Sequence, residues 1–220
     1  MTDIVWDGVT RSATLRKEHA AVRHALADAA RSYNWSRVCG MLSEHRELIN
    51  TTRPDGTALF TPLHQAAHGG APLEVVQHLI ELGAWRTLQN ARGERPIDVA
   101  RRNGHTGLLE ALEPVYRHWV PPGALRNIQE QFHAVIRGRV GQLVHEQALR
   151  LPDLEPMLEL ARPRMWFPVP GMYGGFHYRL EVCEVEPRLV SESWCRIVTG
   201  SGERHVVTAR GSVLEDSGFV

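Results

Sequence analysis

The side chains in this sequence that could do chemistry begin with a pair of histidines. His64 and His68 stand four residues apart, which puts both imidazoles on one face of a helix at a spacing that can chelate a metal. The sequence between them has no glutamate in the H-E-x-x-H arrangement, so a hydrogen-bonding role is the simpler assignment. Cys183, Cys195, His177 and His205 make a second group of metal-ligand types, but no C-x-x-C or paired His/Cys spacing joins them. Ser191-Glu192-Ser193-Trp194-Cys195 followed by His205 offers a nucleophile and a base within one hairpin. Such a pair works only within hydrogen-bond reach and with a third group to orient the base. Strand alternation sends Cys195 to the face opposite Trp194, and cysteine is commonly buried as a plain hydrophobe. Glu203-Arg204-His205 reads equally as an acid–base set and as a solvated hairpin. No catalytic residue, cofactor or metal is assigned.

A denser cluster precedes that hairpin. Residues 165–176 hold Met165, Trp166, Phe167, Tyr173 and Phe176 among two prolines and three glycines. Glycine permits positive φ and close approach of a ligand or another backbone, while proline stiffens the loop. Together with Trp194, Arg196, Arg204 and His205, residues Trp166 and Tyr173 could line an aromatic and basic ligand pocket. The alternative is a hydrophobic crossover that plugs a small sheet, its aromatics serving as core.

The elements that must position these groups follow from periodicity. Phe176, Tyr178, Leu180 and Val182 alternate with His177, Arg179 and Glu181, the period of a half-buried strand. Residues 188–198 predict a second strand, with Trp194, Ile197 and Val198 as its bulk. A turn at Thr199–Gly202 leads to a third strand over 204–209. Upstream, Leu125, Ile128, Phe132, Val135, Ile136, Leu143 and Val144 recur at helical spacing over 124–149, with Gly138 and Gly141 as weak points. A shorter helix is expected from Leu151 to Leu160.

The first half of the chain is organised differently. Thr61-Pro62-Leu63-His64-Gln65-Ala66-Ala67 has a partial second copy in Arg95-Pro96-Ile97-Asp98-Val99-Ala100, about 34 residues on. Around the first copy stand Asp55-Gly56, Leu73-Glu74-Val75-Val76 and Leu82-Gly83-Ala84; around the second, Asn90, Gly93, Gly104-His105 and Leu108-Leu109. A degenerate earlier copy reads Leu26, Ala29-Ala30, Trp35, Val38, Met41-Leu42 and Ile49-Asn50. The T-P-L-H-x-A signature and a period near ~33 residues resemble the ankyrin repeat family. The resemblance covers residues of about 19–113. It implies stacked helix pairs that bury their apolar faces only against neighbours. Two departures stand out: Thr57-Ala58-Leu59 lengthens one finger by about three residues, and one extra residue sits in the turn between Gly69 and Pro72.

Composition limits the function classes. The 220 residues are 43% hydrophobic and carry 25 basic and 25 acidic side chains, which advertises neither a nucleic-acid nor a membrane patch. Three widely spaced cysteines argue against a disulfide scaffold. Residues 1–17 hold no apolar run of signal-peptide type, and no stretch approaches the ~20 apolar residues of a membrane span. The expected location is therefore cytoplasmic. Lys17 is the sole lysine among the basic residues, a codon bias of GC-rich, bacterial genomes.

The expected architecture is α+β, mainly α: an N-terminal segment (1–18), about three repeats (19–113), a helical connector (114–164) and a small antiparallel β domain packed on the connector helices (165–220). The ankyrin resemblance implies a non-enzymatic protein-interaction scaffold with a protein partner on its concave surface. Phe60, Trp85, Arg86, Gln89 and Arg92 are the expected contacts, because Trp85 stands where the family usually carries an aspartate and Trp and Arg dominate binding hot spots. The rival reading is a bacterial effector or toxin-related protein whose C-terminal part is a small enzyme or ligand sensor.

Overall fold

A computed structural model describes residues 4–182, 186–196 and 200–218. The chain divides into two compact units, Thr10–Val115 and a second that joins Met1–Val9 to Tyr116–Val220. The helical connector and the β domain thus share one unit, and the first nine residues go with them rather than with the repeats.

The Thr10–Val115 unit is built of three helix pairs: α1 (Lys17–Arg31) with α2 (Trp35–Glu44), α3 (Pro62–Gly69) with α4 (Leu73–Glu81), and α5 (Pro96–Arg102) with α6 (Leu109–Leu112). α1, α3 and α5 pack in series, and each carries its partner on the outside. Local chemistry sets the helix starts. Pro62 and Pro96 occupy the first turn, where their missing N–H has no partner to lose. Thr61 caps α3, its Oγ1 2.9 Å from the Nδ1 of the buried His64. In the next copy Asp98 replaces the histidine, accepting from the Arg95 N–H at 3.0 Å. The helices stop at Gly70 (φ 59°) and Gly83 (φ 103°), conformations that glycine adopts without strain. Leu26, Leu42, Leu63, Val76, Leu79, Val99 and Leu112 form one core, in which Ala66, Ala67 and Ala100 let the inner helices approach closely.

The second unit sets a long helix, α7 (Pro122–Glu146), against a five-stranded antiparallel meander. Its strands are β1 (Arg164–Val169), β2 (Gly174–Glu181), β3 (Arg188–Cys195), β4 (Ser201–Thr208) and β5 (Gly211–Gly218). Leu125, Ile128, Phe132 and Ile136 of α7 are buried, with the Phe132 ring 5.0 Å from that of Tyr178 and 6.3 Å from that of Phe176. The helix loses helical geometry at Val140 (φ −141°), between the two glycines. Beside that break Arg139 reaches across to Glu203 and Ser201 of β4.

Two of the five strands, β1 and β5, were not expected. Residues 165–176 are a β1–β2 hairpin and not a loop, and the segment after Leu151 forms only a 3-10 turn at Glu155–Glu159. The prolines and glycines mask the strand because Pro168 sits on β1, a strand whose free edge needs few N–H donors. That edge is partly covered: Trp166 donates its N–H to Ile4 O, and Trp6 donates to Trp166 O, both at 2.8 Å. Ile197 and Val198, expected in the second strand, lie outside the described residues. Among the described residues no helix is long and apolar enough to cross a membrane.

Candidate interaction site

A cavity lies within the repeat unit, between the inner helices and the lengthened finger that joins α2 to α3. Its volume is about 460 Å³. Leu26, Ala30, Leu59, Phe60 and Pro62 supply apolar lining; Arg23, Arg31, Arg53, Gln65 and His68 supply the polar rim. The Phe60 ring packs 5.5 Å from His64 and 6.0 Å from His68, centroid to centroid. His68 in turn holds the Tyr33 hydroxyl at 2.9 Å through Nδ1. Gly69 leaves the space for that tyrosine, since a Cβ there would stand 2.4 Å from its ring.

The finger itself is tied down at several points. Asp55 (φ 60°) donates its N–H to Thr10 O at 2.7 Å, and its carboxylate accepts from the Ser12 N–H at 3.1 Å. Hydrogen bonding from Ser12 holds the Asp55 carboxyl below the usual carboxylate range. Arg53 pairs with Asp28 of α1. The inserted residues Thr57–Leu59 form the outer wall, and Ala58 O accepts from Ala91 N–H at 3.1 Å, which couples this finger to the next.

Of the residues expected to meet a partner, Phe60 lines this groove. Trp85 does not behave as an exposed hot spot: it is only 7% accessible. Its backbone N–H donates to Asn50 Oδ1 at 2.9 Å, while Asn50 Nδ2 donates to Gly83 O at 2.9 Å, so an asparagine from the preceding finger fixes the backbone on both sides of Ala84. Arg86 donates Nε–H to Ala111 O at 2.9 Å and stabilises the end of α6. Gln89 is half-buried, and Arg92 is exposed at the tip of the second finger, which Asn90 shapes by accepting from the N–H groups of Arg92 (2.8 Å) and Glu94 (3.0 Å). Arg23 and Arg31 were missed. Their signal was present: Arg23, Ala27, Ala30 and Arg31 recur at i, i+4, i+7, i+8, one helical face of small and cationic residues.

Of the residues expected to line a ligand pocket in the sheet unit, Trp194 and Arg204 line one cavity of about 360 Å³ with Trp166 stacked beside Trp194, whereas strand alternation sends His205 to the opposite face. Trp166 and Trp194 stack on the outer face at 4.6 Å and 18°, meeting over Gly175, where a Cβ would stand 2.8 Å from the Trp166 ring. Arg204 shares that face inside a ladder of alternating charge running Arg188–Glu181–Arg179–Glu192–Arg204–Glu215. Its guanidinium is neutralised and, led by the Glu215 hydrogen bond, its pKa is raised. His205 points the other way, toward α7, lining a shallow cleft of about 350 Å³ with Arg139, Glu203 and Gly138. Burial pushes its imidazole pKa down. Tyr173 is 76% exposed at the β1–β2 turn, and Arg196 is exposed beyond the end of β3.

The nucleophile–base pairs are likewise not formed. Ser191 lies across from His205 in register, but its buried Oγ makes no hydrogen bond. Cys195 donates Sγ–H to Met172 O at 3.1 Å. Glu203 and His205 approach only to 4.0 Å. His177 is on the outer face and His205 on the inner, while Cys183 lies outside the described residues. Among the described residues, no group of three or more His, Cys, Asp or Glu side chains is placed to hold a metal ion.

Comparison with known families matches residues 59–91 to the ankyrin repeat. The match takes in the groove's Phe60, the α3–α4 pair and the second finger as far as Ala91. Among solved structures, a chain of the Bdellovibrio bacteriovorus predatory endopeptidase Bd0816 in complex with immunity protein Bd3460 aligns at 22% identity. The alignment covers 63% of this chain and 74% of that chain, with a TM-score of 0.36, too low to bear on function.

Proposed function

We propose that this chain is a non-enzymatic protein-interaction scaffold whose partner lies along the concave surface formed by the fingers and the inner helices. One observation carries the reading: the cavity of about 460 Å³ opens where the lengthened finger faces α1 and α3, the surface that an ankyrin stack leaves uncovered. The finger is braced by Thr10, Ser12, Asp28 and Ala91, so little ordering entropy remains to be lost when a partner arrives. The rival reading, catalysis or sensing in the sheet unit, is the weaker one, because His205 lies on the face opposite Trp194 and Arg204 and leaves them no histidine base.

Site-specific photo-crosslinking tests the surface. A photoreactive side chain is placed at Thr57, on the groove wall, or at Leu73, which is exposed at the start of the outer helix α4. The expected result in source lysate is a discrete protein adduct from Thr57 and none from Leu73. An adduct from Leu73 with none from Thr57 overturns the concave assignment.

A further inference from the structure

The two sides of the Trp194 indole differ. Toward β1 it is covered by Trp166, whose ring lies 4.6 Å away and 18° from parallel. Toward β4 the next positions across the sheet are both glycine: Trp194 is in register with Gly202, and Gly202 with Gly218. No side chain from either position stands against the ring, and a Cβ at Gly218 would have no neighbour within 4 Å. The space left is a cleft of about 360 Å³, with Trp194 as one wall and Glu192, Arg204 and Asp216 in its polar lining. Packing on Trp166 holds the indole in place before any ligand arrives, so little side-chain freedom remains to be lost on binding.

The polar lining is held as firmly. Glu192 accepts from both Arg179 and Arg204, and Arg204 donates Nε–H to Glu215 at 3.0 Å. β5 carries one extra residue against β4 beside Arg204, which brings Asp216 into register with that arginine next to Glu215. Arg204 is thus already matched by carboxylates and is poorly placed to hold a phosphate, while Glu192 is already matched by two arginines and is poorly placed to hold a cation. What these groups keep is hydrogen-bonding capacity, since a carboxylate has about four acceptor sites and a guanidinium five N–H donors. An apolar ring face beside fixed donors and acceptors suits a ligand that is uncharged, flat on one side and rich in hydroxyls. We infer that the cleft along the Trp194–Gly202–Gly218 row binds a neutral saccharide, its C–H face stacked on the Trp194 indole and its hydroxyls bonded to Glu192, Arg204 and Asp216. The site belongs to the sheet unit alone and is independent of the concave-surface reading.

The test follows the indole N–H signals of the ¹⁵N-labelled full-length chain by NMR while hexoses, N-acetylhexosamines and their disaccharides are added in turn. Three proteins are compared, each first checked for a cooperative melt: wild type, Trp194→Ala, and Gly218→Leu, which fills the cleft from an exposed position with room for a side chain. At least one saccharide is expected to shift the Trp194 and Trp166 signals saturably and to leave Trp119, an indole 72% exposed outside the cleft, where it was. Gly218→Leu abolishes the shift. Trp194→Ala, read through Trp166, weakens binding by about tenfold or more. Adenosine monophosphate and free arginine serve as anionic and cationic planar probes and are expected to leave Trp194 unmoved. A shift with either of them and with no saccharide would overturn the ligand class. Saccharide shifts that survive Gly218→Leu, shifts as large at Trp119, or no shift with any saccharide would overturn the site.

Discussion

The helix pairs of Thr10–Val115 and the sheet of the second unit differ in the reach of the interactions that define them. In the repeats, Thr61 and His64 cap a helix three residues apart, and Arg95 with Asp98 does the same in the following copy. In the sheet, Trp166 meets Trp194 and Tyr178 meets Phe132, contacts between residues far apart in the chain. Repeats therefore expose their organisation as a period. A meander hides it in register, since a one-residue slip would exchange its two faces. The same contrast separates the two fingers. The first is lengthened and lines a groove; the second turns its largest side chain inward.

The largest expected effect bears on that second finger. If Trp85 is core, as its 7% accessibility and its Asn50 contact state, Trp85→Ala removes about 3–5 kcal/mol of stability in urea unfolding. A variant as stable as the wild type would return Trp85 to the surface and erase the difference between the fingers.

The sheet unit offers a sharper and smaller probe. A Cβ at Gly175 would stand 2.2 Å from Phe167 O and 2.8 Å from the Trp166 ring, so Gly175→Ala forces the β1–β2 backbone or the indole stack apart. The cost is about 1–3 kcal/mol. Amide hydrogen exchange should quicken in β1 and β2. Unchanged exchange there would mean that the tryptophan pair does not depend on the missing side chain.

The smallest effect is a pH dependence specific to the second unit. His133 is largely buried against α7's neighbours and donates to Pro152 O at 2.8 Å; burial lowers its pKa, as it does that of His205. The unfolded chain, with ordinary histidines near ~6.5, takes up these protons first as the pH falls. The stability contributed by the neutral imidazoles is therefore full above ~6.5 and is lost as the pH drops through the lower folded-state values. Histidine-ring NMR should show His133 and His205 titrating below the ~6.5 of an ordinary histidine. Titration at the ordinary value would remove the effect.

Much of the architecture was legible in residue order. The repeat period, the Thr61-Pro62 helix start, the stop at Gly83, the weak point in α7 near Gly138 and Gly141, and the alternation along β2 are all consequences of neighbours within a few positions. What the sequence concealed depends on partners distant in the chain. Trp85 occupies a position where a polar residue is usual, yet the stack buries it, and Asn50 of the preceding finger holds its backbone N–H. Arg204 and His205 are adjacent, yet the pleat sends one into the charge ladder and the other toward Arg139. The N-terminal segment pairs with β1 through Ile4 and Trp6, although nothing in its composition marks it as part of a sheet. The sequence by itself determined the helices, their caps and the order of repeats, because hydrogen bonds and apolar periodicity act over three or four residues. Tertiary structure alone decided which aromatics face solvent and which arginines gather around one cavity, because burial and charge grouping arise only when separate elements meet.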